Sequence, residues 1–357
     1  MTHTPTLIVG GGQAGLATAY ELDRRGIPAT ILDANRAIGD AWRNRWDSLR
    51  LFTPAAYSSL PGLPFPGRSD HHPTKDEIAD YLATYAQRFC LRVKSGVTVH
   101  QITRDQEGFT VLTDAGTWSA ETVVIATGPF QTPVIPRLRE GFSPTVAQLH
   151  SSAYRRPDQL PGDDVLVVGG GNSGCQIAEE LHHDGRRVHL AVGARMTVLP
   201  QRVAGRDLFH WLDRVGYLGI AAESRLGRRL QTRDTIIGIG SRHLRRLGIS
   251  VHRSLTGALG QRVLFGDVTA NRVDAVVWAT GVRRDHTFIK INEALDDAGA
   301  LIQRSGITPV PGLFTVGQPW QTTRGSALLG FVGNDAARIA DLAYARSARS
   351  RREAVTV

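Results

Sequence analysis

Two stretches of this chain have the residue types and spacing to hold phosphate. Thr6-Leu-Ile-Val-Gly-Gly-Gly-Gln-Ala-Gly15 is a short apolar run entering G-x-G-x-x-G at Gly10, Gly12 and Gly15, with Gln13 and Ala14 inside the loop. Val165-Leu-Val-Val-Gly-Gly-Gly-Asn-Ser-Gly174 repeats it at Gly169, Gly171 and Gly174, with Asn172 and Ser173 inside. Glycine at this spacing lets a backbone turn tightly and approach a pyrophosphate. The helix that follows supplies unpaired N–H groups and the positive end of its dipole. A single loop of this kind is weak testimony, but two in matching contexts are strong.

The elements that must position these loops also match. Helical stretches follow both loops and end at Gly26 and Gly185, 11 residues past the third glycine in each (15 to 26, 174 to 185). The next apolar strands, ending at Asp33 and Val192, close 7 residues later in each (26 to 33, 185 to 192). Asp33 is the carboxylate expected to accept the ribose hydroxyls of an adenosine. Val192 replaces it in the second copy and Arg195 follows, which favours NADPH and leaves NADH as the alternative; Arg202 and Arg206 are fallback partners for a 2′-phosphate. Val123-Val-Ile-Ala-Thr-Gly128 and Val276-Val-Trp-Ala-Thr-Gly281 close the two copies alike. Continuous apolar runs of this sort are buried parallel strands, so Thr127, Gly128, Thr280 and Gly281 fall at the carboxyl ends where such sheets bind ligands. The expected fold is α/β, with two Rossmann-like dinucleotide-binding domains.

Composition narrows the chemistry. The 357 residues are 41% hydrophobic, enough for a sizeable core, and no apolar run approaches the ~20 residues of a membrane span. The first strand starts at Thr6, leaving no room for a signal peptide, and Cys90 and Cys175 form no C-x-x-C pair. That argues against a disulfide framework, a cysteine zinc site and a dithiol relay, and for a reducing cytoplasm. The net charge of +9 rests on scattered arginines, with lysine only at Lys75, Lys94 and Lys290. Without a recognition-helix pattern it suits anionic cofactors better than nucleic acid. The twelve histidines show no metal spacing and no G-x-S-x-G elbow is present, so no metal and no serine nucleophile is expected. Cys175 matches Leu16 of the first copy and reads as a core residue.

Taken together, the sequence resembles the two-dinucleotide-domain flavoproteins, and among them the class B flavin monooxygenases. The resemblance rests on both glycine loops, the paired Ala-Thr-Gly strands, Gly39-Asp-Ala-Trp-Arg43, Leu49-Arg-Leu-Phe-Thr-Pro54, Leu60-Pro-Gly-Leu-Pro-Phe-Pro66 and His150-Ser-Ser-Ala-Tyr154. It implies an FAD-binding domain in residues 1–157, an inserted NAD(P)-binding domain in 158–282, and completion of the FAD domain by 283–357. Trp42 and Arg43 would line the FAD adenosine and pyrophosphate, Phe52 and Thr53 the isoalloxazine, and Val99 the adenine through its backbone. Gly317 and Gln318 would meet the ribityl chain, although an aspartate commonly stands where Gln318 does. The helix beginning near Ser326–Leu329, with Leu328 at its start, would aim its positive end at the flavin pyrimidine. In the linker, His150 and Tyr154 fit H-x-x-x-Y, but Phe142 lies 8 rather than 6 positions before the histidine and the usual glycine is missing. A structural role for His150 stands beside a substrate contact.

The resemblance implies that NADPH reduces FAD and that dioxygen then forms a flavin C4a-hydroperoxide, which oxygenates a small molecule. The target would be a soft sulfur or nitrogen nucleophile or a carbonyl; Tyr154 leans towards the heteroatom. Asn172 and Ser173 would donate hydrogen bonds near the reacting oxygen, and no side-chain acid or base is singled out. The expected partners are substrate and dioxygen, with no nucleic acid and no membrane; a homodimer is compatible. A reductase that passes electrons to a quinone, ferredoxin or flavin is the alternative, and a nucleotide-sensing module a third class. Residues 202–253 carry the fewest motifs and are expected to cap the cleft or meet a partner, and Arg346 to Arg352 to form a solvated helix end.

Overall fold

A computed structural model describes residues 1–193, 197–232, 235–266, 268–270 and 272–356. The elements that position the site are, in chain order, β1 (Thr6–Val9), α1 (Gln13–Asp23), β2 (Ala29–Asp33), α2 (Lys75–Arg88), β3 (Val93–Ser95), β4 (Thr122–Ile125) and β5 (Ala147–His150). They continue with β6 (Asp164–Val168), α3 (Asn172–His183), β7 (Arg187–Ala191), β8 (Ser250–His252), β9 (Ala275–Trp278), β10 (Leu313–Thr315) and α4 (Val332–Thr356).

Every apolar run flanking a glycine motif is a buried strand. They assemble into two five-stranded parallel sheets, ordered β10-β4-β1-β2-β3 and β5-β9-β6-β7-β8. Register repeats as well: Thr6 pairs with Ala29 and Asp164 with Arg187, an offset of 23 in each case (29 − 6, 187 − 164). The chain leaves the first sheet after β4 and returns to it at β10. The outgoing and returning segments pair antiparallel, Thr132–Pro133 against Val282–Arg283. The α/β architecture with one sheet inserted into the other is therefore as expected.

Each sheet buries both faces. On the first, Ile8, Ile31 and Val124 pack under α1, α2 and α4 (Leu16, Ile78, Ile339), whereas Leu7, Val9 and Val123 face an antiparallel meander through Phe109 and Val111. On the second, Val165 and Val167 meet Ile177 and Leu181 of α3, and Leu166 and Val276 meet Phe142, Val263 and Phe265.

Ala147–His150 is the edge strand of the second sheet, and Phe142 and Val146 lie in its core, so that sheet takes residues well before position 158. Ala-Gln-Leu-His is only partly buried along most of its length and lacks the continuous apolar run that betrays a central strand. No described helix is long and apolar enough to cross a membrane.

Candidate functional site

The glycine loops show which of their glycines serve the protein and which leave room for something else. Gly10 (φ +109°) and Gly169 (φ +122°) sit where a Cβ would lie 2.6 Å from Ala126 O and 2.1 Å from Ala279 O. Gly15 and Gly174 would each press a Cβ to 1.9 Å from the carbonyl of the first glycine of their loop. These four are demanded by packing of the turn on its own sheet. The middle pair differs. Gly12 and Gly171 are the N-caps of α1 and α3, with φ −76° and −75°, a conformation any residue adopts. Apart from the adjoining backbone, nothing among the described residues lies within 4 Å of a Cβ built on either. A side chain there would fill only the space in front of a helix N-terminus, where a phosphate sits.

Around the first loop the expected residues come together. Asp33, at the end of β2, is buried beneath it, and a Cβ on Gly11 would meet its Oδ2 at 2.6 Å. Its Oδ1 accepts from Asn35 N (3.1 Å) and Asn35 Nδ2 (3.0 Å), while burial pushes the carboxyl above its ordinary range. Val97 N donates to Asp33 O (2.9 Å), and half-buried Val99 opens the next strand on the same side. Gly317 (φ +86°) places the end of β10 against the loop, since a Cβ on it would lie 2.6 Å from that of Ala14. Gln13 Nε2 donates to Ala327 O (3.1 Å), beside Leu328. Two buried oxygens in this group, Thr127 Oγ1 and Gln318 Oε1, have no hydrogen-bond partner among the described residues. Buried polar atoms are rarely left unpaired. These two, with the cradle at Gly12, fit the hydroxyls and pyrophosphate of a flavin dinucleotide.

The remaining residues near the first loop have protein partners of their own. Arg43 directs its fork at carboxylates, with Nη2 2.8 Å from Asp80 and Nη1 3.4 Å from Asp40, and Nη1 also donates to Ile38 O (2.8 Å). Trp42 is half-buried where the cores of the two sheets meet. Thr53 is buried, its Oγ1 3.1 Å from Ser58 Oγ.

At the second loop, Ser173 is half-buried in the first turn of α3, and Asn172 Oδ1 accepts from Ile237 N at 3.2 Å. Thr280 Oγ1 donates to Val134 O, and Gly281 O accepts from Val134 N (3.1 Å) and from His150 Nε2 (3.0 Å). Half-buried Val192 stands where the first copy has its acid, and Arg195 lies outside the described residues.

His150 Nδ1 accepts from Ser152 N (3.1 Å), so the proton is on Nε2, where it serves Gly281. Burial, followed by the charge of Arg45, holds the ring pKa below its ordinary value. The ring is a neutral tie between β5 and the end of β9. Tyr154 is fully buried and its hydroxyl donates to Glu180 Oε2 at 2.8 Å. Both linker residues therefore act as internal braces of the second sheet.

The thiols offer no redox pair, because Cys90 is exposed and Cys175 is buried, its pKa pushed up to about 12 by desolvation. Among the described residues no group of three or more His, Cys, Asp or Glu is placed to hold a metal. One contact set carries no motif at all. The stretch after β7 lays Phe209 on Phe52 and joins Asp207 to His72; the aromatic run Phe209-His-Trp-Leu212 is its sole trace in the sequence.

Comparison with known proteins agrees with this geometry. A family model described as pyridine nucleotide-disulphide oxidoreductase matches residues 7–201. An uncharacterised CzcO-like oxidoreductase of Geobacillus kaustophilus (strain HTA426) is 45% identical over 332 residues, covering 92% of this chain and 95% of that protein. The indole-3-pyruvate monooxygenase YUCCA1 of Oryza sativa subsp. japonica is 31% identical over 394 residues, covering 98% and 94%. The solved flavin-containing monooxygenase of Stenotrophomonas maltophilia superposes with a TM-score of 0.81 at 29% identity, covering 97% of this chain and all of that one.

Proposed function

The chain belongs to the pyridine nucleotide-disulphide oxidoreductase family, and from that premise we propose that it is an FAD-dependent, NADPH-driven monooxygenase. The observation that carries the reading is the pair of middle glycines, Gly12 and Gly171, each holding open the space before a helix N-terminus at the mouth of its own parallel sheet. Two cradles call for two dinucleotides. Thr127, Gln318 and Asp33 assign FAD to the first, where polyol and ribose hydroxyls need partners. Val192 in the acid position assigns NADPH to the second, since no carboxylate there repels a 2′-phosphate. We infer that the FAD unit lies before Thr132–Pro133 and after Val282–Arg283, with the NADPH unit between.

When bound, the flavin would supply hydride acceptance from reduced nicotinamide and the activation of dioxygen. The protein's own residues bind and orient. The loops grip the diphosphates through backbone N–H groups, Gln318 and Thr127 fix the ring's tether, and His150 holds Gly281 at the nicotinamide side. The substrate is a small molecule offering soft sulfur, soft nitrogen or a carbonyl. Support for oxygen insertion comes from the similarity to a plant indole-3-pyruvate monooxygenase and a bacterial flavin-containing monooxygenase. The reductase alternative draws on the altered linker, whose Phe142 is buried in the core of the second sheet.

Stopped-flow spectroscopy tests the choice. The chain, reduced with NADPH under nitrogen and then mixed with oxygen, is expected to pass through a transient spectrum unlike oxidised or reduced flavin. Direct return to oxidised flavin, with electrons accepted by a quinone instead, would favour the reductase.

A further inference from the structure

Residues 199–231 bridge the two halves of the molecule. Gln201 Nε2 donates to Phe52 O (2.9 Å) and to Asp207 Oδ2 (2.8 Å). The same Oδ2 lies 3.1 Å from His72 Nε2, while His72 Nδ1 lies 3.0 Å from Leu51 O. His72 is thus held between the Leu51 carbonyl and the Asp207 carboxylate. Asp207 Oδ1 accepts from Phe209 N (2.8 Å) and caps the helix Leu208–Arg214. That cap aims Phe209 at the loop following α1 and β2. The ring is 1% exposed, stacked on Phe52 (6.1 Å between centroids, 19° between planes) and 6.0 Å from Tyr57.

Further along, Leu218–Ala222 runs beside the segment after β10. Ala222 N donates to Thr322 O (2.8 Å), Arg324 N to Ile220 O (3.0 Å) and Gly325 N to Leu218 O (2.9 Å). At its start, Leu199 pairs with Ile237, whose N is held by Asn172 of the second glycine loop. The segment thus touches both loops assigned to the flavin ring and reaches the second cradle through Ile237.

We propose that residues 199–231 are a strap that closes the oxygenation site. Phe209 is its specificity-determining wall, and Asp207, His72 and Gln201 are the positioning residues that hold that wall on Phe52. The proposal rests on the flavin reading above, which puts Phe52 and Thr53 beside the ring. With the strap closed, NADPH, a proton, dioxygen and substrate give NADP, oxygenated substrate and water. With it open, water reaches the site, and NADPH, a proton and dioxygen give NADP and hydrogen peroxide. In this reading the substrate's apolar group packs against the cluster of Phe52, Tyr57 and Phe209, and the size of residue 209 sets how large that group can be.

Asp207→Asn is the decisive variant. Asparagine caps a helix as well as aspartate does, so the helix stays, but its amide turns a donor towards the donor amide of Gln201 and removes the carboxylate beside His72. Trypsin has sites in the strap at Arg202, Arg206, Arg214 and Arg225. Because such cleavage follows the open population, losing a charge-assisted contact is expected to speed cutting there about tenfold or more. Iodide should then quench bound-flavin fluorescence more strongly, and peroxide per NADPH should rise. Phe209→Ala should raise peroxide and accept bulkier substrates. His71→Gln, a neighbour outside the network, should match the wild type in all three measurements. Wild-type cleavage and quenching in flavin-loaded Asp207→Asn would overturn the strap. A wild type that holds no FAD would overturn the flavin reading and the closure with it, while the cleavage ratio still reports whether the strap is latched.

Discussion

Alanine at Gly12 and alanine at Gly15 should have opposite consequences, though three residues and one methyl group separate them. Gly12 has φ −76° and no atom within 4 Å of a Cβ, so Gly12→Ala fits the fold without strain. Its effect on the ligand-free protein is expected to stay within about 1 kcal/mol of zero, because the less free unfolded chain is offset by the poorer N-cap that alanine makes. The same methyl stands where the diphosphate must approach. Backbone N–H groups bonded to a charged oxygen contribute roughly 1.5–3 kcal/mol each, so forcing the phosphate off one or two weakens FAD binding by about a hundredfold or more. At Gly15 a Cβ would lie 1.9 Å from Gly10 O, where ordinary contact begins at 3.4 Å. Overpacking that deep costs about 3 kcal/mol or more, a large share of the roughly 5–15 kcal/mol that holds a domain together. Calorimetry of the ligand-free proteins and fluorescence titration with FAD separate the two effects. Gly171→Ala should leave flavin content intact and weaken NADPH alone. A Gly12→Ala protein that binds FAD like the wild type, or melts like Gly15→Ala, would refute the reasoning.

Tyr154→Phe should destabilise the chain by about 1–3 kcal/mol in urea unfolding, because half-buried Glu180 loses the phenol donor, and should leave the chemical step unchanged. Lost turnover at unchanged stability would assign Tyr154 to catalysis instead. Glu77 accepts from Thr74 N, which draws its pKa down to about 2. Its folded pKa is thus below its unfolded one, so its stabilisation is complete above about pH 4.3 and is lost as pH falls towards 2. Glu77→Gln should therefore be less stable by about 0.5 kcal/mol at neutral pH, a figure discounted for the group's exposure, and equal to the wild type near pH 2. Asp335 gives the opposite slope. Burial raises its carboxyl pKa, so its ionisation opposes folding as pH rises through the folded value. Melting curves should show Asp335→Asn gaining on the wild type between pH 4 and pH 8; a flat difference would contradict the assignment.

What was legible in the sequence is what local sterics dictate. Gly10 and Gly15 are needed by a turn that touches itself and the neighbouring strand, so their spacing survives in the chain and repeats at Gly169 and Gly174. Asp33 and Thr127 follow because strand ends place them. Edge strand β5 carries no such signal, because its partial burial leaves a mixed pattern. Arg43 is the right residue type for a phosphate, yet Asp80 on α2, 37 positions away, takes its fork. The link from His72 to Asp207 joins residues 135 apart (207 − 72) through ordinary side chains, and no periodicity records such a meeting. His150 and Tyr154 were visible as a motif, but the bonds to Gly281 and Glu180 that make them braces are tertiary.

Anaerobic titration of the purified chain with NADPH tests the account most directly. The proposed pair of cradles, one for each dinucleotide, predicts a yellow protein whose bound FAD is bleached by one equivalent of NADPH per flavin, with NADH the weaker reductant. A colourless protein that takes up no added FAD, or a bound flavin that neither nicotinamide reduces, would contradict it.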